Sequence, residues 1–189
     1  MILPIYLYDH PVLRQVAEPI TDLTPEIRRL AQDMLETMYN AHGVGLAANQ
    51  VGVTRRLIVV DIGEDEGMRE PLILLNPTIE AFSEETVEME EGCLSLPELR
   101  EIVVRPAAVQ VHYVDFRGHE CHIAADGLLA RVLQHEIDHL NGVYFTDRLS
   151  PVRRLLLRRK LERIARGEAL PPYPVVLGHA VVEQRSEML

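Results

Sequence analysis

Three observations in the sequence predict an α+β fold. Short apolar or alternating runs recur between residues 57 and 125 and read as strands. Helical periodicity is confined to three segments, 25–42, 127–141 and 151–167. The helices are too few, and too far apart along the chain, to alternate with the strands as in a doubly wound parallel sheet. The expectation is a set of antiparallel strands packed around a central helix that carries His135-Glu-x-x-His139, followed by a C-terminal helix.

Each element has its own signal. Thr24 can cap a helix with Pro25 at its first position; Ile27, Leu30, Met34 and Met38 follow at helical spacing, and Gly43 stops it. The stretch GVGLAANQVG (43–52) reads as a loop. LIVV (57–60) and LILL (72–75) are strand-like apolar runs, and TVEMEEGCLSL (86–96) and AAVQVHYVDF (107–116) alternate as strands do. Arg117-Gly118 is a plausible turn into HECHIAA (119–125). Asp126 is placed to cap the second helix, with Gly142 just past its end. Pro151 opens the third helix, which ends near Gly167. The tail 168–189, with three prolines, is expected to be irregular.

The chain has 189 residues, 47% of them hydrophobic and 25% charged, enough for one domain with a sizeable core and unlike a disordered chain. The longest uncharged run, Thr37 to Thr54, is 18 residues long but holds Asn40, His42, Asn49, Gln50 and three glycines, so no membrane span is expected. The first residues, broken by Pro4 and Asp9, do not read as a signal peptide. Two cysteines, Cys93 and Cys121, are too few for a disulfide framework and fit a reducing cytosol. The net charge of −10 argues against whole-surface binding to nucleic acid. It hides an asymmetry, because residues 151–167 hold seven basic side chains and one acidic one, Glu162.

The strongest chemical signal is QHEIDHLNG (134–142). On a helix His135 and His139, at i and i+4, project from one face and can share a metal, while Glu136 can reach a metal-bound water without ligating. A catalytic site needs a third protein ligand and an open position. A metzincin would place a histidine six residues after His139, where this chain has Phe145. Glu162 is roughly placed for a thermolysin-like ligand, but it lies among Arg158, Arg159, Lys160 and Arg163, where a solvated ion pair is the simpler role. Cys93 in EGCLSLP (91–97) offers a thiolate, a strong ligand for a borderline metal. Cys121 reads as a small apolar residue.

GVGLAANQ (43–50), EGCLS (91–95) and QHEIDH (134–139), complete and in this order, resemble the three signatures of the peptide deformylase family; the likeness covers about residues 1–166. The resemblance implies a catalytic domain over 1–167 that removes the N-formyl group from formylmethionine at the start of new bacterial or organellar polypeptides. It assigns the metal to Cys93, His135 and His139, general base and acid to Glu136, and oxyanion donation to the Gln50 amide and the Leu94 backbone N–H. It further implies substrate contacts at Gly43, Val44, Gly45, Met89, Glu91, Gly92, Arg100, Leu128 and Val132, with Val44, Met89, Leu128 and Val132 around the methionine side chain. Glu91 and Arg100 either position the peptide or brace the site, Asp138 and Arg105 form a supporting pair, and Arg131 projects toward the pocket rim. The implied metal is Fe(II) in the cell, with Zn, Ni or Co able to occupy the same ligands. The implied partners are formylmethionyl nascent chains and, through helix 151–167, the ribosome; the implied setting is the bacterial cytoplasm or an organelle, and the implied state a monomer. A zinc peptidase, a ribosome-associated module without catalysis and a structural metal site are the competing readings. The first leaves EGCLS and GVGLAANQ unexplained, the second leaves Glu136 idle, and the third demands a fourth protein ligand.

Overall fold

The structure, a computed structural model, describes residues 1–183. Its mixture of helices and mainly antiparallel strands is α+β, as expected. Helix α1 (Pro25–Asn40) begins where Thr24 Oγ1 accepts the Ile27 N–H at 3.3 Å, and its buried face carries Ala31, Met34, Thr37 and Met38. Strands β2 (Gly45–Ala47), β3 (Leu57–Val60), β4 (Leu72–Phe82), β7 (Ala108–Val114) and β8 (Glu120–Asp126) pair antiparallel in the order β2-β3-β4-β7-β8. Between β4 and β7, β5 (Thr86–Cys93) and β6 (Leu96–Pro106) form a separate hairpin.

Helix α2 (Gly127–Leu140) packs on one face of the five-stranded sheet, where Val132, Leu133, Ile137 and Leu140 meet Ile58, Val60, Leu74 and Val111. On the other face Met34 and Met38 of α1 meet Leu57, Val59 and Leu75. Strand β3 is therefore buried on both faces, which is why its sequence is continuously apolar rather than alternating. All four of its side chains are fully buried, each stabilising by about 1.5–3 kcal/mol. Helix α3 (Pro151–Ala165) starts at Ser150, whose Oγ accepts the Arg153 N–H at 3.2 Å, and packs through Leu157 and Ile164. Glu162 pairs with Arg158 at 3.1 Å. No helix among the described residues is long and apolar enough to cross a membrane.

The structure differs from the sequence expectations at four places. GVGLAANQVG is not all loop, since Gly45–Ala47 is an edge strand opposite Ile58–Val60. The run 86–96 is not one strand; the ladder shifts between Gly92 and Cys93, the chain turns at Leu94 and Ser95, and residues 96–106 return as β6. Asp126 takes the cap position of α2 without a capping hydrogen bond, because it is still paired in β8 opposite Ala108. The tail is not irregular throughout. β9 (Val175–Leu177) and β10 (Ala180–Val182) form a hairpin, and β9 pairs in parallel with β1 (Ile5–Tyr6). That pairing joins opposite ends of the chain, so no local pattern announces it. The expectation for 184–189 falls outside the described residues.

Candidate active site

Two turns of α2 and the last residue of β5 build the donor cluster. His135 and His139 lie one helical turn apart with Nε2 atoms separated by 3.2 Å, and Cys93 Sγ is 3.3 Å from His139 Nε2. The three donor atoms lie within 4.8 Å of one another. Ligands about 2.0–2.3 Å from a tetrahedral metal stand roughly 3.3–3.6 Å apart, so the spacing suits one shared cation. Two imidazoles and a thiolate are also the right donor chemistry for a borderline transition metal. Burial holds the His139 imidazole well below its usual value, leaving it neutral, the form that ligates. At His135 burial acts the same way but is outweighed by Cys93 and Glu91, which favour a positive charge on the ring.

The donor residues are held from behind by a charge network. His135 Nδ1–H donates to Glu91 Oε1 at 2.8 Å, which turns Nε2 toward the cluster. Arg105 donates twice to Glu91, at 2.7 and 2.9 Å, and once to Asp138, at 2.7 Å. Arg148 closes the far side of Asp138 with two 2.6 Å bonds. Arg131 donates to Glu91 at 2.7 Å and to the Val103 and Val87 carbonyls at 2.8 Å. Burial alone would raise the Glu91 carboxyl, but the bonds from His135 and Arg105 outweigh it and hold it well below the usual carboxylate range.

Glu136 is different. It is buried, its Oε2 has no partner, and burial pushes its carboxyl up to about 7, with Glu91 adding to the shift against the opposing pull of His135. A free carboxyl oxygen titrating near neutrality beside the donor cluster is suited to accept and return a proton. Gly45 makes room for it, since a Cβ there would sit 2.6 Å from Glu136 Oε1 and 2.8 Å from Val132.

Cys93, His135 and Glu136 line a cleft of about 570 Å³. Gln50, on the short turn after β2, is fixed by accepting the Ala47 N–H on Oε1 at 2.9 Å; its Nε2 donates to Ser95 Oγ at 3.1 Å and points at Cys93 Sγ at 3.5 Å. Leu94, Gly43, Val44, Gly45, Gly92, Arg100, Leu128 and Val132 line the same cleft. Met89 does not. It sits four residues back along β5 from Cys93, roughly 13 Å at 3.3 Å per residue, with Glu91 between them. Glu91 borders the cleft, and its oxygens accept bonds from His135, Arg105 and Arg131. Arg131 also lines the cleft; it is buried, and its guanidinium donates to Glu91 and to the Val103 and Val87 carbonyls. Arg100 pairs with Glu90 at 2.7 Å on the exposed side. The segment 170–173 also lines the cleft, and nothing in the tail's composition indicated this.

Residues 2–155 match the family model described as polypeptide deformylase. The chain is 49% identical over 185 residues to the peptide deformylase of Salinibacter ruber, covering 93% of this chain and 95% of that protein. It is 49% identical over 163 residues to that of Rhizobium meliloti, covering 86% and 94%. Among solved structures, the peptide deformylase from Legionella pneumophila superposes with a TM-score of 0.81 at 42% identity, over 91% of this chain and 100% of that one. The peptide deformylase from Synechococcus elongatus, solved in complex with actinonin, gives 0.78 at 43% identity, over 86% and 85%.

Proposed function

We propose, from the premise that this chain belongs to the polypeptide deformylase family, that it hydrolyses the N-formyl group from formylmethionine at the start of new polypeptides. The observation that carries this reading is the convergence of the Cys93, His135 and His139 donor atoms, with Cys93, His135 and Glu136 lining one cleft and Glu136 Oε2 unpartnered. Cys93, His135 and His139 would hold the metal, which would supply Lewis-acid activation of water.

The chain's own groups do the rest. Glu136 accepts the proton of the attacking water at Oε2, and the water oxygen bonds to the formyl carbon. The oxyanion so formed accepts hydrogen bonds from Gln50 Nε2 and the Leu94 N–H, donors worth about 3–4 kcal/mol each when held in place. Glu136 then passes its proton to the amide nitrogen; the C–N bond breaks, and formate and a free amine leave. Val44, Leu128 and Val132 offer the apolar wall for the methionine side chain. Gly43 and Gly45 bring the backbone close enough to admit a hydrogen on the carbonyl carbon and to crowd a larger acyl group. The test is turnover of formyl-Met peptides, followed by formate release, against acetylated and unformylated peptides; equal cleavage of all three, or cleavage of internal peptide bonds, would overturn the reading.

Fe(II) is our choice of metal in the cell, on the strength of the mixed thiolate and imidazole set and the family's habit, with Zn, Ni or Co accepted by the same donors. A ferrous centre with a thiolate ligand would lose activity in air. We place the enzyme in the cytoplasm or an organelle as a monomer, with the exposed basic side of α3 as its contact with the ribosome. Among the described residues Arg154, Arg159 and Lys160 have no ion pair, which leaves their charge available to phosphate.

A further inference from the structure

The family model stops at residue 155, yet the chain beyond α3 returns to the cleft. Leu170, Pro171, Pro172 and Tyr173 form part of its wall. Their position is fixed from outside the segment. Val175 and Val176 pair in parallel with Ile5 and Tyr6, and the Ile5 N–H donates to the Pro174 carbonyl at 2.9 Å. Pro171, Pro172 and Pro174 each lock φ, so the crossing has few alternatives.

Tyr173 is the point where this arm touches the chemistry. Its ring packs between the cluster under α1 and the cluster under α3, and its hydroxyl donates to the Leu94 carbonyl at 2.7 Å. Leu94 and Ser95 are the two-residue turn that follows Cys93. Besides the Cys93–Leu96 pair of the ladder, Ser95 is tied by two bonds among the described residues. Its carbonyl accepts the Tyr8 N–H at 2.8 Å, and its Oγ accepts from Gln50 Nε2 at 3.1 Å. Tyr173 therefore supplies the bond on Leu94, the residue whose own N–H faces the oxyanion in the function proposed above.

We propose that Tyr173 is a positioning residue for deformylation, its hydroxyl holding the Leu94–Ser95 turn so that the Leu94 N–H is aimed before substrate arrives. This rests on the functional reading above. A donor must lie within a few tenths of an ångström of its place to favour the transition state over the ground state, and a misplacement of about 1 Å can cost 10²-fold. Tyr173→Phe removes one oxygen and keeps the ring, so packing is retained while the turn loses its hold on Leu94.

The test compares wild type and Y173F at equal measured metal content, with folding checked by circular dichroism at the assay temperature. The expected result is a fall in kcat for a formyl-Met peptide of about 5- to 20-fold with KM within about twofold. Amide hydrogen exchange should quicken at residues 94–96 and stay unchanged in α2. A bond with a merely structural role would lower the melting temperature and leave kcat per folded, metal-loaded molecule as it was. Wild-type turnover with an unchanged kcat in Y173F, or faster exchange spread over the whole protein, would overturn this assignment alone. A metal-loaded wild type that releases no formate would overturn the functional reading and this one with it.

Discussion

Glu91 Oε1 stands 2.8 Å from His135 Nδ1, and the same carboxylate accepts three further bonds from Arg105 and Arg131. One buried acid from the β5–β6 hairpin thus orients a histidine of the donor cluster on α2 while two arginines keep it ionised. This network, together with Gln134 Nε2 donating to the Pro106 carbonyl at 3.0 Å, ties the hairpin that carries Cys93 to the helix that carries His135 and His139.

Acid should expose that dependence. The folded carboxyl of Glu91 lies below its unfolded value near 4.3, so its contribution to stability is present above that value and is lost as pH falls below it. Denaturant midpoints of chelated protein, compared between pH 6 and pH 3, should fall further for wild type than for Glu91→Gln. Parallel curves for the two proteins would mean that Glu91 is not held ionised by the fold. Removing the brace should also weaken metal binding by about 10- to 100-fold in chelator competition, the usual scale for a group supporting a ligand.

Glu136→Gln separates catalysis from metal binding. The change is nearly isosteric, and Glu136 is not among the donor cluster, so metal content and fold should persist. Formate release should drop by at least about 10²-fold, the low end for loss of general acid–base catalysis. Near-normal turnover in the metal-loaded variant would refute the assigned role.

The two cysteines give an internal control. Cys93→Ala should lose most of its metal and its activity, because it removes one of three donors. Cys121, on β8 with its thiol against the His119 carbonyl at 3.6 Å, should tolerate alanine with a small packing loss. Equal metal loss in both variants, read by elemental analysis, would mean that the third ligand is misassigned.

What the sequence made legible was local. The i, i+4 histidines need only a helix to come together, and α2 has its own start and stop. LIVV needs only burial to read as a strand. The β1–β9 pairing, by contrast, joins residues 5–6 to residues 175–176, and β6 went unread because nothing in EGCLSL marks the turn at Leu94 and Ser95. Arg131 lies one helical turn before His135, so spacing put it on the cleft side; only the folded hairpin shows that Glu91 and two carbonyls draw its guanidinium inward. Tyr173 is the extreme case, an unremarkable residue in a proline-rich tail until β9 carries it to Leu94.

The last prediction concerns the outer side of α3. Glu101 binds Arg153 with two 2.8 Å bonds, Glu162 takes Arg158, and Glu168 lies near Arg163 and Arg166. Val152, Leu155 and Leu156 are about two-thirds exposed at the start of the same helix, so the surface offers apolar as well as basic groups. Arg154, Arg159 and Lys160 remain without ion pairs among the described residues, on a chain whose net charge is −10. Their mutual repulsion is relieved by a polyanion, and neutralising phosphates releases counterions, so binding of this kind weakens steeply with salt. Reversing the three to glutamate should reduce co-sedimentation with ribosomes most clearly at low salt, while turnover of a short formyl-Met peptide stays near that of wild type because none of the three lines the catalytic cleft. Undiminished co-sedimentation of the triple variant would leave these charges with no role beyond solvation.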